Sequence, residues 1–342
     1  MMVEQQNFKG RARGQKHMSK ALWHMAPGVI QTQIDTLLPV REGEVRVQTH
    51  YSAISRGTER LVSLGAVPES EWQTMRAPFQ SGEFPFPVKY GYSTAGTVEE
   101  GPQDLLGKPV FCLYPHQDHF IVPAEAVMPV PEGVPLRRAT MAGNMETALN
   151  AVWDSGVSAG DRVAVIGAGM VGLLTGFVCS QMPGADVSIV DVNPDRIALG
   201  RAMGLNICLP DDRPEQCDVV FHSSASEAGF QTAVRCAGIE ASVVEMSWYG
   251  DKAISVALGG AVHSRRLRFI SSQVGMVSTL HRSRWTYRRR LEKAVSLLDN
   301  ETLDLLVRED VNFDDAPGLL PAILDTSYAD LPPLIKYAAA TT

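Results

Sequence analysis

Residues Asp161–Gly172 read DRVAVIGAGMVG, and this stretch decides the fold. The apolar run Arg162–Ile166 predicts a buried strand, and the string Gly167-Ala168-Gly169-Met170-Val171-Gly172 follows it without a gap. An apolar helical run continues to Gln181, and a second apolar run, Val187–Val190, ends in Asp191. Strand, glycine turn, helix and a second strand closing on an acid about twenty residues on make up the dinucleotide-binding fingerprint. Gly167 permits the tight turn, Gly169 lets the backbone approach a pyrophosphate, and Gly172 allows the helix to pack closely on the strand. The helix N-terminus presents free amides and the positive end of its dipole to the phosphates. A carboxylate at position 191 accepts ribose hydroxyls and repels a 2′-phosphate, so NAD(H) is expected in preference to NADP(H). Asp191 has a second possible job as a helix cap, which Asn193 could equally do. Arg196 is within reach of an adenine face. The candidate cofactor residues are Gly167, Ala168, Gly169, Met170, Val171, Gly172, Asp191, Arg196, Ser223, Thr147 and Arg56.

Outward from this turn the alternation continues. Asn193–Met203 and Ala225–Ala237 predict helices, and Asp218–Phe221, Ala241–Met246 and Arg268–Ser271 predict strands. Such alternation defines an α/β, doubly wound parallel sheet. Arg288–Leu298 predicts a further helix with Leu291, Val295 and Leu298 on one face. Upstream, residues 20–130 are β-rich, with short strands at Val45–Tyr51, Val110–Leu113 and Phe120–Val122 among many prolines and glycines. The stretch Ala77–Val88, APFQSGEFPFPV, holds too many breakers for a helix, and helical pattern begins near Ala139–Val152.

The chain has 342 residues, 45% hydrophobic and 20% charged, with a net charge of −7. That is a globular composition with enough apolar mass for a full core, and its acidity argues against a nucleic-acid or anionic-membrane partner. No run of about 18 apolar residues occurs, and no apolar segment follows the basic N-terminus as a secretory signal would require. Residues 1–18 are read as a mobile extension, with Met18 an alternative start. The five cysteines, Cys112, Cys179, Cys208, Cys217 and Cys236, are scattered and odd in number. A disulfide framework and a cysteine zinc cage are therefore not expected, and a cytoplasmic location is. Cys179, Cys208 and Cys236 are expected as small core residues.

Four segments carry a resemblance: GEVRVQTHYSAIS at Gly43–Ser55, KYGYSTAGTVEEG at Lys89–Gly101, METALNAV at Met145–Val152 and AGDRVAVIGAGMVG at Ala159–Gly172. From about Lys20 to Lys336 the chain resembles the medium-chain dehydrogenase/reductase superfamily of zinc alcohol dehydrogenases and quinone reductases. Within it, SAISRGTERL at Ser52–Leu61 is similar to the bacteriochlorophyllide hydroxyethyl dehydrogenase branch. The resemblance implies a β-rich GroES-like catalytic domain over 19–150, a Rossmann NAD-binding domain over 151–274, and a return of residues 275–342 to the catalytic domain. It also implies an interdomain cleft for a small-molecule substrate and a homodimer.

The departures are specific. Zinc members carry cysteine where this chain has Ser55, and Gly-His-Glu where it has Gly91-Tyr92-Ser93; their third ligand falls near Gly143 or Asn144. Catalytic zinc needs three Cys, His or carboxylate ligands, so no zinc is expected. The cysteines of the superfamily's structural zinc lobe are missing too.

Without the metal, a side chain must polarise the carbonyl or take the alcohol proton. Tyr92 is a candidate donor, its alternative being an ordinary packed tyrosine. Thr58 and Glu59 lie on the loop after Ser55, where Glu59 would be a general base or the ion-pair partner of Arg56 or Arg60. His116, and more weakly His119, suit proton transfer or simply polar surface. His222 ends a Rossmann strand and is expected to line the cofactor. Thr147 would cap the helix opening at Asn144 or touch the nicotinamide side, and Glu146 requires a buried partner. The resemblance sets Ser271–Gly275 beside the nicotinamide. Trp248 and Tyr249 are cleft wall or aromatic core. The eight arginines between Arg265 and Arg290 form either a solvated helix face or an anion site.

The reading that results is a zinc-independent oxidoreductase moving a hydride between NAD(H) and an alcohol or carbonyl. The alternatives are an NAD(P)H-dependent quinone or enone reductase and a non-catalytic dinucleotide-binding sensor.

Overall fold

The computed structural model describes residues 17–338. The first lobe runs β1 (His17–Ala26), β2 (Val29–Leu37), β3 (Glu44–Ala53), α1 (Arg56–Leu64), β4 (Ser81–Gly82), β5 (Val88–Lys89), β6 (Thr94–Glu100), β7 (Pro109–Cys112), β8 (His119–Pro123) and β9 (Val127–Pro129). Helices α2 (Leu136–Ala139) and α3 (Ala142–Ser155) lead into the second lobe. There follow β10 (Arg162–Ile166), α4 (Met170–Ser180), β11 (Asp186–Val190), α5 (Pro194–Ala202), β12 (Ile207–Cys208), β13 (Cys217–His222), α6 (Glu227–Cys236), β14 (Ala237–Glu245), β15 (Arg268–Ser271) and α7 (Tyr287–Ser296). The chain closes with β16 (Asp310–Asn312), α8 (Ala316–Leu324) and β17 (Leu334–Lys336).

The second lobe is the doubly wound sheet read from the sequence. Its order is β12-β11-β10-β13-β14-β15, with every pair parallel. The order reverses between β10 and β13, which leaves a crevice at their carboxyl ends where such sheets bind ligands. Val163, Val165, Ile166, Val190 and Val220 are buried, as strands covered by helices on both faces require. In the first lobe β3 is central and pairs with β6, β8 and β17. Its alternation buries Val45, Val47 and Thr49. The strand ends at Ala53, two residues before Ser55, so a rigid central strand delivers the first candidate residue.

The structure corrects four expectations and adds one hairpin. His17 and Met18 already belong to β1, while residues 1–16 of the expected extension lie outside the described residues. The hairpin of β1 and β2 has no counterpart in the sequence reading. Residues 56–64 form a helix rather than a loop, because Leu61 and Val62 have an apolar face to bury and Gly65 closes the helix in the left-handed conformation (φ +68°). Residues 275–342 do not all return to the first lobe. The apolar stripe of α7 packs on α3, and Leu291, Val295 and Leu298 share one core with Val163, Val165 and Leu173; the return is made by β16, α8 and β17. Cys208 is half-buried rather than core, whereas Cys179 and Cys236 are buried as expected.

Candidate active site

The glycine turn forms as its sequence requires. Gly167 has φ +108°, and a Cβ there would lie 3.0 Å from the Ser224 nitrogen and 3.1 Å from Ser223 Oγ. A Cβ on Gly172 would lie 1.9 Å from the Gly167 carbonyl oxygen, so only glycine lets α4 start this close to β10. A Cβ on Gly169, by contrast, would meet only Arg196 Nη1 at 3.9 Å. The open space above Gly169, at the N-terminus of α4, fits a pyrophosphate. Ala168 is buried beneath the turn, and Met170 and Val171 form the first turn of α4. Ser223 Oγ donates to the Ile166 and Gly167 carbonyls at 3.2 Å and locks the β13 side of the crevice to the turn.

Asp191 stands at the end of β11 and pins this geometry. Its Oδ2 accepts from the Ala168 amide at 2.6 Å and its Oδ1 from the Asn193 amide at 2.8 Å. Asn193, not Asp191, caps α5, accepting from the Asp195 amide. Arg196 donates from Nε to the Ala329 carbonyl. Arg56, at the start of α1, reaches the Asp325 and Thr326 carbonyls and lies over the Tyr328 ring. Burial, together with the neighbouring charges of Arg196 and Arg60, lowers the Arg56 pKa from its usual value. Arg56 and Arg196, one from each lobe, thus lie near enough for their charges to act on each other.

Across the lobe junction lies a small cavity lined by Ile54, Asn144, Met170 and Leu334, among others. Ser55, Tyr92 and Gly143 meet beside it. The Tyr92 hydroxyl donates to Ser55 Oγ and lies 3.3 Å from Thr58 Oγ1. A Cβ on Gly143 would lie 3.6 Å from the Tyr92 ring and 3.1 Å from Ser93 Oγ. Burial pushes the Tyr92 phenol above its ordinary pKa, and the bonds to Ser55 and Thr58 pull it part of the way back. The phenol therefore holds its proton at neutral pH and acts as a donor.

Behind these hydroxyls runs a buried polar chain. Glu59 Oε1 accepts from the Ser55 amide at 2.6 Å, and Oε2 lies 3.1 Å from His116 Nε2. His116 Nδ1 is 2.7 Å from Ser52 Oγ, which in turn is 2.9 Å from the Tyr337 hydroxyl. Glu59 and His116 are each 1% exposed. This overturns two readings: Glu59 pairs with His116 rather than Arg56 or Arg60, and His116 is not polar surface. With both ring nitrogens engaged, His116 holds Glu59, and Glu59 holds the backbone of Ser55. His119 points elsewhere, beside Asp118 and stacked edge-on against His17.

Other candidates are placed differently from expectation. Thr147 does not cap α3, which starts five residues earlier at Ala142; its hydroxyl donates back to the Gly143 carbonyl at 3.0 Å. Glu146 finds its buried partner in Arg290, 2.9 Å away, and Arg290 also donates to the Val274 and Met276 carbonyls. Arg290 thereby fixes the Ser271–Gly275 segment, while Ser272 bonds Asp154. The other arginines do not share one face: Arg265 binds the Ala237 carbonyl, Arg266 pairs with Glu240, Arg288 pairs with Glu292, and Arg289 covers Trp285. Trp248 packs on the cluster of Val62, Phe84 and Tyr90, and so bridges the lobes. His222 is fully buried, bonded to Glu245 and Ser224. Ser52, Tyr337, Glu245 and Ser224 were not singled out in the sequence. For Glu245 a signal existed: a carboxylate closing an apolar strand needs a partner.

The residues present do not fit a catalytic zinc. Ser55 and Tyr92 offer hydroxyls bonded to each other, Gly143 offers no side chain, and Asn144 is no usual ligand. Among the described residues, no group of three or more His, Cys, Asp or Glu is placed to hold a metal ion.

No family model matches the chain. It is 25% identical over 124 residues to (R,R)-butanediol dehydrogenase of Saccharomyces cerevisiae, a match covering 36% of this chain and 32% of that protein. It is 24% identical over 307 residues to D-guloside 3-dehydrogenase of Shigella flexneri, covering 80% of this chain and 87% of the relative. The match thus spans about a third of the first of these relatives and most of the second. The solved 2R,3R-butanediol dehydrogenase of Bacillus subtilis superposes with a TM-score of 0.73 at 17% identity, covering 93% of this chain and 99% of that one. S. aureus TarJ, solved with NADPH, superposes with a TM-score of 0.72 at 14% identity, covering 94% and 100%. The chain has the medium-chain dehydrogenase/reductase fold, a GroES-like lobe joined to a Rossmann lobe, and its relatives are alcohol dehydrogenase-like dehydrogenases.

Proposed function

We propose that this protein moves a hydride between a nicotinamide dinucleotide, NAD(H) by preference, and an alcohol or carbonyl substrate, with the Tyr92 hydroxyl doing the work a metal does in zinc relatives. The observation that carries the reading is the meeting of the Ser55, Thr58 and Tyr92 hydroxyls beside the interlobe cavity, next to the Met170 end of the glycine turn. The dinucleotide would supply or accept the hydride. The protein supplies the rest. Tyr92, protonated and enclosed, donates to the substrate oxygen where negative charge develops. Ser55 and Thr58 hold the phenol in place, and Glu59 and His116 hold Ser55. Trp248 closes the cleft from the Rossmann side.

Asp191 supports NAD(H), although both its oxygens already serve backbone amides. A second reading, NADP(H), is favoured by Arg196, whose Nη1 stands 3.9 Å from the Cβ position of Gly169. Titration of NADH and NADPH, followed by turnover on secondary alcohols, ketones, enones and quinones, tests the proposal. Tighter NADH binding with turnover on an alcohol or ketone supports it. Turnover confined to enones or quinones favours the reductase alternative, and binding without turnover favours the sensor. We also propose a homodimer, for which the exposed edge strand β15 with Phe269 offers unpaired backbone. Among the described residues, no helix is long and apolar enough to cross a membrane.

A further inference from the structure

A second cluster, separate from Tyr92, lies at the carboxyl ends of β13 and β14. His222 Nε2 is 2.7 Å from Ser224 Oγ, and His222 Nδ1 is 2.7 Å from Glu245 Oε2. Glu245 is itself held: the Ser247 amide donates to Oε1 at 2.8 Å and the Tyr249 hydroxyl lies 3.3 Å from Oε2. We propose that Ser224, His222 and Glu245 form a serine–histidine–carboxylate hydrolytic site for small activated esters, at the β13 side of the dinucleotide crevice and working when no dinucleotide is bound.

Three features carry this beyond a chance hydrogen-bond chain. The order is nucleophile, base and orienting acid, each within hydrogen-bond reach of the next, and such constellations are recognised by geometry and role rather than chain order. Ser224 occupies a sharp strand-to-helix turn between β13 and α6, where the following residue, Ala225, adopts φ +50°, a left-handed conformation rare outside glycine. Nucleophilic serines of α/β hydrolases also stand on strand-to-helix turns, although there the strained residue is the serine itself and here it is its neighbour Ala225. The surroundings are also cut to fit the pair. A Cβ on Gly229 would lie 2.0 Å from Ser224 Oγ and 2.9 Å from His222 Nε2, so glycine at the first turn of α6 is what leaves room for the dyad. The Ser226 hydroxyl caps the Gly229 amide and touches Ser224 Oγ at 3.0 Å. The Glu227 and Ala228 amides in the same turn have no intrahelical acceptor.

The chemistry balances without a further reagent. The Ser224 proton passes to His222 Nε2 as Oγ bonds to the ester carbonyl carbon. The carbon–oxygen bond to the alcohol then breaks, and His222 returns the proton to the leaving alkoxide. Water, activated by the same nitrogen, splits the acyl-serine to the free acid and restores Ser224. Glu245 accepts from Nδ1–H throughout and fixes the ring.

The test uses the full chain without dinucleotide, so its outcome is independent of the oxidoreductase reading. The unaltered protein is treated with a fluorophosphonate, the modified residue is located by mass spectrometry, and p-nitrophenyl acetate hydrolysis is followed in parallel. We expect the adduct on Ser224. Hydrolysis should fall at least about 10²-fold in Ser224→Ala, fall markedly in Glu245→Gln, and persist in Ser296→Ala on the exposed face of α7. No adduct at Ser224, or hydrolysis equal in the protein and Ser224→Ala, overturns the proposal. Because the adduct is sought on the unaltered chain, a variant that fails to fold does not shield it.

Discussion

The Tyr92 phenol donates its hydrogen bond to the Ser55 hydroxyl, at two positions where zinc-bearing proteins of this resemblance carry ligands. Instead of two groups aimed at a metal, the chain has two hydroxyls satisfying each other, backed by a carboxylate that bonds the Ser55 amide and not the hydroxyl. In the proposed reaction the phenol redirects its proton to a substrate oxygen, while Glu59 fixes the backbone carrying Ser55.

Replacing Tyr92 with phenylalanine keeps the ring, including its edge contact with Tyr90 at 6.1 Å, and removes only the donor. Loss of one oxyanion donor costs about 10²–10³ in kcat. We expect that fall for Tyr92→Phe on an alcohol or ketone, with dinucleotide affinity unchanged and stability altered by about 1 kcal/mol or less. An unchanged kcat removes Tyr92 from the chemistry.

Gly91 has φ +114°, and a Cβ there would lie 2.8 Å from His116 Cδ2 and 2.9 Å from Nε2. Gly91→Ala therefore carries a backbone cost of roughly 1–2 kcal/mol plus displacement of the ring. Denaturant unfolding should show a loss above about 1 kcal/mol, and kcat should fall as Glu59 loses its partner. If the clash matters, the loss should shrink in a background of His116→Ala; equal losses in both backgrounds would contradict it.

His24 is 2% exposed and its Nδ1 has no partner. Burial, opposed in part by the Glu59 charge, lowers its pKa to about 4. The folded ring stays neutral while the unfolded ring takes a proton near pH 6.5, so stability is complete above that pH and is lost as pH falls toward 4. The loss across this window is about 3 kcal/mol. Urea titrations at a series of pH values should show it, and His24→Gln should flatten the slope. An identical slope in the variant would rule His24 out as its source.

Glu146 and Arg290 form a buried pair, each nearly sealed from water. Removing one partner strands the other charge, at a cost of about 3–5 kcal/mol. Glu146→Ala should therefore lower the unfolding midpoint strongly and loosen the Val274–Met276 carbonyls that Arg290 holds, which hydrogen exchange of that segment would reveal. Little change in either measurement would mean the pair is dispensable.

What was legible in the sequence follows from how far apart the interacting residues lie. The Rossmann lobe is written locally: an apolar strand, three glycines with distinct tasks and an acid at the next strand end sit within a few tens of residues. The first lobe is not. Its central strand β3 pairs with β6 and β8, distant in sequence, and β17 joins it from the far end of the chain. Ser52 and Tyr337 are 285 positions apart, and neither carries a local sign of the other. Helix α1 is hidden because SRGTERL resembles a loop of zinc relatives, although Leu61 and Val62 give it a face to bury. Thr58, Glu59, Tyr92 and His116 were each identifiable, but their order of contact was not, since that depends on Gly91 admitting the His116 ring.

The central claim is that hydride transfer here needs no metal because Tyr92 answers the substrate oxygen. The most direct measurement is turnover of the purified protein with NADH and its best carbonyl substrate, before and after exhaustive chelation, alongside its metal content by mass spectrometry. The account predicts no stoichiometric metal and the same kcat after chelation. Stoichiometric zinc, with activity lost on chelation and restored by zinc, would contradict it.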